Sequence, residues 1–86
     1  PVPHMGWNQL RMTQDSTLLR GVEPGAHVYF VHSYAAPLGP WTLAATDYGG
    51  EFSSAVQHEN FHGVQFHPER SAQAGSRVLA NFLELA

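Results

Sequence analysis

His67 and Glu69 stand two residues apart in GVQFHPERS, residues 63–71, at the end of an apolar run. Side chains two apart on an extended strand point to the same side, so an imidazole and a carboxylate at this spacing can share one cleft. A carboxylate that accepts the N–H of one ring nitrogen fixes the tautomer and leaves the other nitrogen free to take a proton. That is the chemistry of a general base with its orienting acid, two members of a catalytic triad. Pro68 removes a backbone N–H and holds φ at about −65°. The sheet ladder is therefore expected to end there, with His67 at the strand's carboxyl end, where ligands of α/β sheets gather. A plainer reading competes: a surface His and Glu at a strand-to-helix junction, with Glu69 serving only the positive end of the following helix. Spacing does not separate the two readings; geometry does.

The other histidines offer less. His58 and His62, four apart, would share a helical face and could ligate zinc. Asn60 between them marks a hairpin turn instead, and no motif supplies a third ligand, so no metal site is expected. His4, His27 and His32 read as singletons, packed or half-exposed.

These residues belong to a chain of 86, enough for one small domain with a modest core. A net charge of −3 with four Lys plus Arg argues against a nucleic-acid or anionic-membrane partner. No apolar run approaches the roughly 20 residues that span a bilayer. The sequence has no cysteine, hence no disulfide framework and no thiolate metal site, which fits a cytoplasmic protein. Pro1-Val2-Pro3, with no initiator methionine, reads as the interior of a longer protein.

The elements that must position the His–Glu pair are legible in outline. Gly6 to Leu10 reads as extended. Thr13–Ser16 is a cap-like cluster before one or two helical turns over Thr17–Arg20, stopped by Gly21. Glu23-Pro24-Gly25 signals a turn, and HVYFVHSY, 27–34, is the strongest strand pattern. A loop through Pro37, Gly39 and Pro40 leads to a strand over 41–48, a tight turn at Gly49-Gly50, and a strand over 51–57. His58-Glu59-Asn60 turns into a strand over Phe61–Phe66. Ser71 to Ala86 reads as a helix with Ser71 as N-cap and an apolar stripe of Val78, Leu79, Phe82, Leu83 and Leu85. One closing helix covers one face of a sheet, so apolar surface is expected to stay exposed and to favour association.

GVQFHPERS resembles the histidine–glutamate segment of the class I, triad-type glutamine amidotransferases. PHMGWNQL (3–10) and VYFVHSY (28–34) narrow the resemblance to the glutaminase subunits of imidazole glycerol phosphate synthases, and it covers the chain in order. It implies an α/β fold, the C-terminal part of a class I amidotransferase-like domain over residues 1–86, with a mixed sheet, hairpins and a closing C-terminal helix. It implies glutamine as substrate, His67 as general base and acid, and Glu69 as its orienting partner. Ser33 and Tyr34 fall in the glutamine pocket, offering backbone groups. Met5, Gly6, Trp7 and Asn8 fall near the interface with a cyclase subunit, and Arg70 takes a basic position suited to an acid on that partner. No cofactor is implied. The family's cysteine, in a G-x-C-x-G elbow, and its oxyanion-hole segment have no counterpart in these residues. The resemblance therefore implies a front half of the same domain that supplies them, and a non-catalytic remnant is the alternative.

Overall fold

The computed structural model describes residues 3–85; Pro1, Val2 and Ala86, the last residue expected in the helix, lie outside the described residues. Within them run the strands β1 (His4–Gln9), β2 (Arg11–Met12), β3 (His27–His32), β4 (Thr42–Asp47), β5 (Glu51–His58) and β6 (Phe61–Val64). A 3-10 turn at Pro68–Arg70 and one helix, α1 (Ala72–Leu85), follow. β1 and β3 pair antiparallel as a ribbon, and β2-β4-β5-β6 form a second, antiparallel sheet in that order. Hairpins and a closing C-terminal helix are thus present as expected, with the β structure divided between two sheets.

The strand patterns account for the core. Along β3 the alternation puts Val28 and Phe30 fully inside. Phe30 meets Phe52 of β5 and Phe66 edge-on, with ring centroids 5.5 and 6.1 Å apart. β4 is buried on both faces from Thr42 to Thr46. Its Ala44 and Ala45 are small enough to pass between neighbours, and its hydroxyls are satisfied: Thr46 Oγ1 donates to the Gln9 carbonyl at 2.8 Å. Asp47 Oδ1 accepts the Gly50 N–H at 3.0 Å, fixing the Gly49-Gly50 hairpin.

Several expectations are corrected. Thr17–Arg20 forms no helix. It is a pair of i→i+3 turns, Arg20 N–H to Thr17 O and Val22 N–H to Leu19 O, with Ser16 Oγ accepting the Leu19 N–H. Leu18 and Leu19 point into the core from both turns, and that burial, not helical periodicity, sets the local path. Pairing of β6 ends at Val64 rather than Phe66. In α1 the inner face is Gly75, Val78 and Asn81, while Leu79, Phe82, Leu83 and Leu85 are 44%, 48%, 73% and 37% exposed. Most of the apolar stripe thus faces outward. Asn81 secures the helix instead, its Nδ2 donating to the carbonyls of Leu18 and Arg20 at 2.9 and 2.7 Å.

Candidate active site

The His–Glu pair is built on a turn, not on a strand. His67 is extended (φ −97°, ψ 100°), and Pro68-Glu69-Arg70 then wind one 3-10 turn, with Pro68 at its start where a missing N–H costs nothing. This curl, rather than strand alternation, brings Glu69 Oε2 to 3.1 Å from His67 Nδ1. The pair expected from the sequence forms, but for a different local reason.

What holds the turn is the free edge of β3. Tyr29 lies opposite Trp7 of β1 in the ladder. On its other side its carbonyl accepts the His67 N–H at 2.9 Å, and its own N–H donates to Ser71 Oγ at 2.9 Å. Ser71 Oγ in turn donates to the His67 carbonyl at 2.6 Å. Tyr29, His67 and Ser71 are thereby closed into one ring of hydrogen bonds around a fully buried hydroxyl. This corrects the role expected of Ser71: its carbonyl accepts the Gly75 N–H, the backbone part of a cap, but its side chain serves the turn that carries His67 and Glu69. Ala72 then enters α1 at φ +53°, a left-handed conformation unusual for a residue with a Cβ.

The electrostatics suit a base and its orienting acid. The Glu69 carboxyl is held below its ordinary value, first by a backbone N–H of its own residue and then by the His67 ring. It is an ionised acceptor at neutral pH, so a neutral His67 ring bonded to it has its proton on Nδ1 and its lone pair on Nε2. The side chains are 40% and 63% exposed, so the pair stands at the surface.

The other expected residues divide into two groups. On β1 the alternation turns Met5 and Trp7 outward, at 65% and 53% exposed. It turns Gly6 and Asn8 inward, and Asn8 Nδ2 donates to the Asp47 carbonyl at 2.9 Å. Gly6 sits at φ +122°, where a side chain would be strained. Trp7 meets Tyr29 edge-on at 5.8 Å, and the Arg70 guanidinium lies over the Tyr29 ring at 4.3 Å. Trp7 and Arg70 are therefore joined on one surface by Tyr29, which the sequence did not single out. Ser33 and Tyr34 follow the end of β3 and are exposed. Along β3 they lie about 13 Å or more beyond Tyr29, on the opposite reach of the strand from the His67 turn.

The histidines separate differently from expectation. In the β5–β6 hairpin His58 pairs with Phe61 and Gln57 with His62, so His58 and His62 point to opposite faces. Among the described residues no three metal-ligating side chains converge. His4 and His32, expected as singletons, are hydrogen-bonded to one another: His4 Nδ1 is 3.0 Å from His32 Nε2. They face each other across the first pair of the β1–β3 ladder, a register that neither pattern alone discloses.

A turn carrying a carboxylate-oriented histidine at the edge of an α/β fold is the class of arrangement that triad glutaminases use. The family model "Glutamine amidotransferase class-I" matches residues 1–86, and the chain belongs to that family. It is 56% identical over 85 residues to "Imidazole glycerol phosphate synthase subunit HisH" of Escherichia coli (strain K12). The same identity holds to the subunits of that name from Shigella flexneri and Salmonella typhimurium. The match takes in 99% of this chain and 43% of each relative. The chain thus spans less than half the length of these curated relatives.

Proposed function

We propose that residues 1–86 are the C-terminal portion of a glutaminase subunit of imidazole glycerol phosphate synthase, supplying the His and Glu of a Cys-His-Glu triad. The observation that carries this reading is the 3.1 Å bond between His67 Nδ1 and Glu69 Oε2 on a turn clamped to β3. The chain has no cysteine, so the nucleophile and the oxyanion-hole donors come from the front half of the same domain.

The chemistry follows from the tautomer. His67 Nε2 takes the proton of the front half's cysteine, and the thiolate attacks the side-chain amide carbon of glutamine. As the C–N bond breaks, the proton passes to the leaving nitrogen, giving ammonia and a thioester. The same nitrogen then activates water, which releases glutamate and restores the thiol. Glu69 holds the ring throughout and stabilises the imidazolium. Ser33 and Tyr34 contribute backbone groups to the glutamine pocket.

Ammonia is passed to a cyclase subunit, where it joins a phosphoribosyl intermediate to give imidazole glycerol phosphate in histidine biosynthesis. The surface that meets the cyclase is the one on which Met5 and Trp7 stand out beside Arg70 and half-buried Tyr29, a tryptophan–tyrosine pair with a planar cation suited to a carboxylate. Gly6 and Asn8 shape this face from behind. A cytoplasmic setting is part of this reading. Among the described residues no helix is long and apolar enough to cross a membrane.

The test is to mix this chain with a front half bearing the G-x-C-x-G elbow and assay ammonia release from glutamine, with and without a cyclase. Release that appears on mixing and disappears with His67→Ala supports the reading. A folded but silent complex supports the second reading, a non-catalytic remnant.

A further inference from the structure

At the far end of β3 the two paired histidines form part of a longer chain of hydrogen bonds. His32 Nδ1 lies 3.0 Å from the Tyr34 carbonyl, which can only accept. His32 therefore carries its proton on Nδ1, and its Nε2 is an acceptor. His4 Nδ1 must then be the donor across the 3.0 Å to His32. His4 Nε2, left with its lone pair, faces Asn8 Nδ2 at 3.4 Å. Asn8 Nδ2 is a donor and spends its other hydrogen on the Asp47 carbonyl. Starting from Tyr34 or from Asn8 gives the same result: two neutral rings, each protonated on Nδ1.

The rings have little freedom to do otherwise. His4 is 4% exposed and lies between Phe30 and Tyr48, stacked on both with centroids 4.5 and 4.1 Å away. Phe52 closes the side of both rings. The neighbouring cleft, about 320 Å³, is lined by His4, His32, Ser33, Ala36, Tyr48 and Glu51. Glu51 is engaged by Arg11, and Tyr48 stacks on His4, so among the described residues no carboxylate pairs with either ring.

We propose that His4 and His32 are positioning residues that hold the backbone of Ser33 and Tyr34 through one fixed arrangement of protons running from Asn8 to the Tyr34 carbonyl. Its bearing on glutamine rests on the pocket role given above to Ser33 and Tyr34. A proton added to either ring sets two N–H groups against each other, His4 against Asn8 or His32 against His4, and releases the stretch. Burial, and then the proximity of His32, lower the pKa of His4 and guard the neutral state.

Long-range proton–nitrogen correlation on the 15N-labelled chain near neutral pH reads the arrangement directly. Both rings are expected as Nδ1–H, the minor tautomer of free imidazole; either ring as Nε2–H or as a cation overturns the proposal. His4→Phe keeps the stack on Phe30 and Tyr48 but removes the donor. With the hydrogen bond to His32 Nε2 lost, the His32 ring is held by the Tyr34 carbonyl alone, and amide exchange over 33–35 should rise about five- to tenfold. His4→Asn, whose Nδ2 takes the place of Nδ1, should restore protection. Unchanged exchange in His4→Phe overturns the proposal. In an enzyme reconstituted with its front half, His4→Phe should raise the glutamine KM about five- to tenfold with kcat held within about twofold. Tautomers and exchange do not depend on turnover. A silent reconstituted enzyme with both rings as Nδ1–H overturns the glutaminase reading alone, while normal turnover with an unchanged KM overturns the link from these histidines to the pocket.

Discussion

Ser71 Oγ donates to the carbonyl of His67 across 2.6 Å while accepting the amide of Tyr29. The hydroxyl is fully buried, so Ser71→Ala leaves the Tyr29 N–H without its acceptor and takes one of two donors from the His67 carbonyl, which keeps the Arg70 N–H. Removing the hydroxyl should cost about 1–3 kcal/mol, the range for one orphaned N–H. Urea denaturation should show this as a lower midpoint with an unchanged slope. Ser71→Thr, which keeps the oxygen, should recover less than all of it because no space is left for a methyl group.

Gly75 lies against the same turn from the helix side. A Cβ there would overlap the Pro68 carbonyl oxygen and come within 2.9 Å of the Ser71 Cβ. In an exposed helix Gly→Ala stabilises by about 1 kcal/mol. Here the sign should reverse: Gly75→Ala should lower the thermal midpoint and displace Pro68–Arg70, read as shifted His67 and Glu69 NMR signals.

The turn shows what the sequence could and could not disclose. HPE, with its two-residue spacing, was enough to pair His67 with Glu69, because any local path through Pro68 keeps them close. The path itself was not legible, since strand alternation and a 3-10 curl both satisfy that spacing. Ser71 was visible as a helix start, but its buried duty depends on Tyr29, 42 residues away. The strands were readable from β-branched and aromatic alternation, and the hairpins from Gly49-Gly50 and His58-Glu59-Asn60. The orientation of α1 was not. Its apolar stripe predicts an inward face, whereas Gly75 and Asn81 are inside because one fits the Pro68 turn and the other caps two carbonyls of the 17–21 turns.

Glu69 should titrate below its ordinary value of 4.5. A carboxylate held lower in the folded state contributes its interaction above the unfolded value, and that contribution is lost as pH falls through the lowered one. The ring of His67 should thus stay oriented through the neutral range. Carbon-detected titration of Glu69 in His67→Ala should move the value upward but not to 4.5, because the larger cause is the backbone N–H, which survives.

His4 gives a second pH dependence with its own window. Its folded value lies below the ordinary 6.5, so the unfolded chain takes up the proton first. The stability involved is fully present above 6.5 and is lost as pH falls from there through the lowered folded value. Chemical denaturation from pH 8 to pH 5 should show this decline, and it should be weaker in His4→Phe.

Leu79, Phe82 and Leu83 on α1 and Phe61 on β6 remain exposed, and an apolar groove of about 190 Å³ runs between the two elements. The isolated chain should self-associate through this face. Sedimentation of Phe82→Glu with Leu83→Glu should return a monomer; a wild-type chain that is monomeric at high concentration contradicts the expectation.

The bond between Tyr29 and Ser71 closes a span of 42 residues, and closing long loops is slow relative to forming hairpins. The β4–β5 and β5–β6 hairpins can form from neighbours in sequence, but the turn that presents His67 and Glu69 has nothing to rest on until α1 has met β3. A chain emerging from the ribosome amino end first therefore has the strands β1 to β6 before it can close the turn at His67 and Glu69. The turn that carries His67 and Glu69 is thus expected to form after the hairpins of the second sheet.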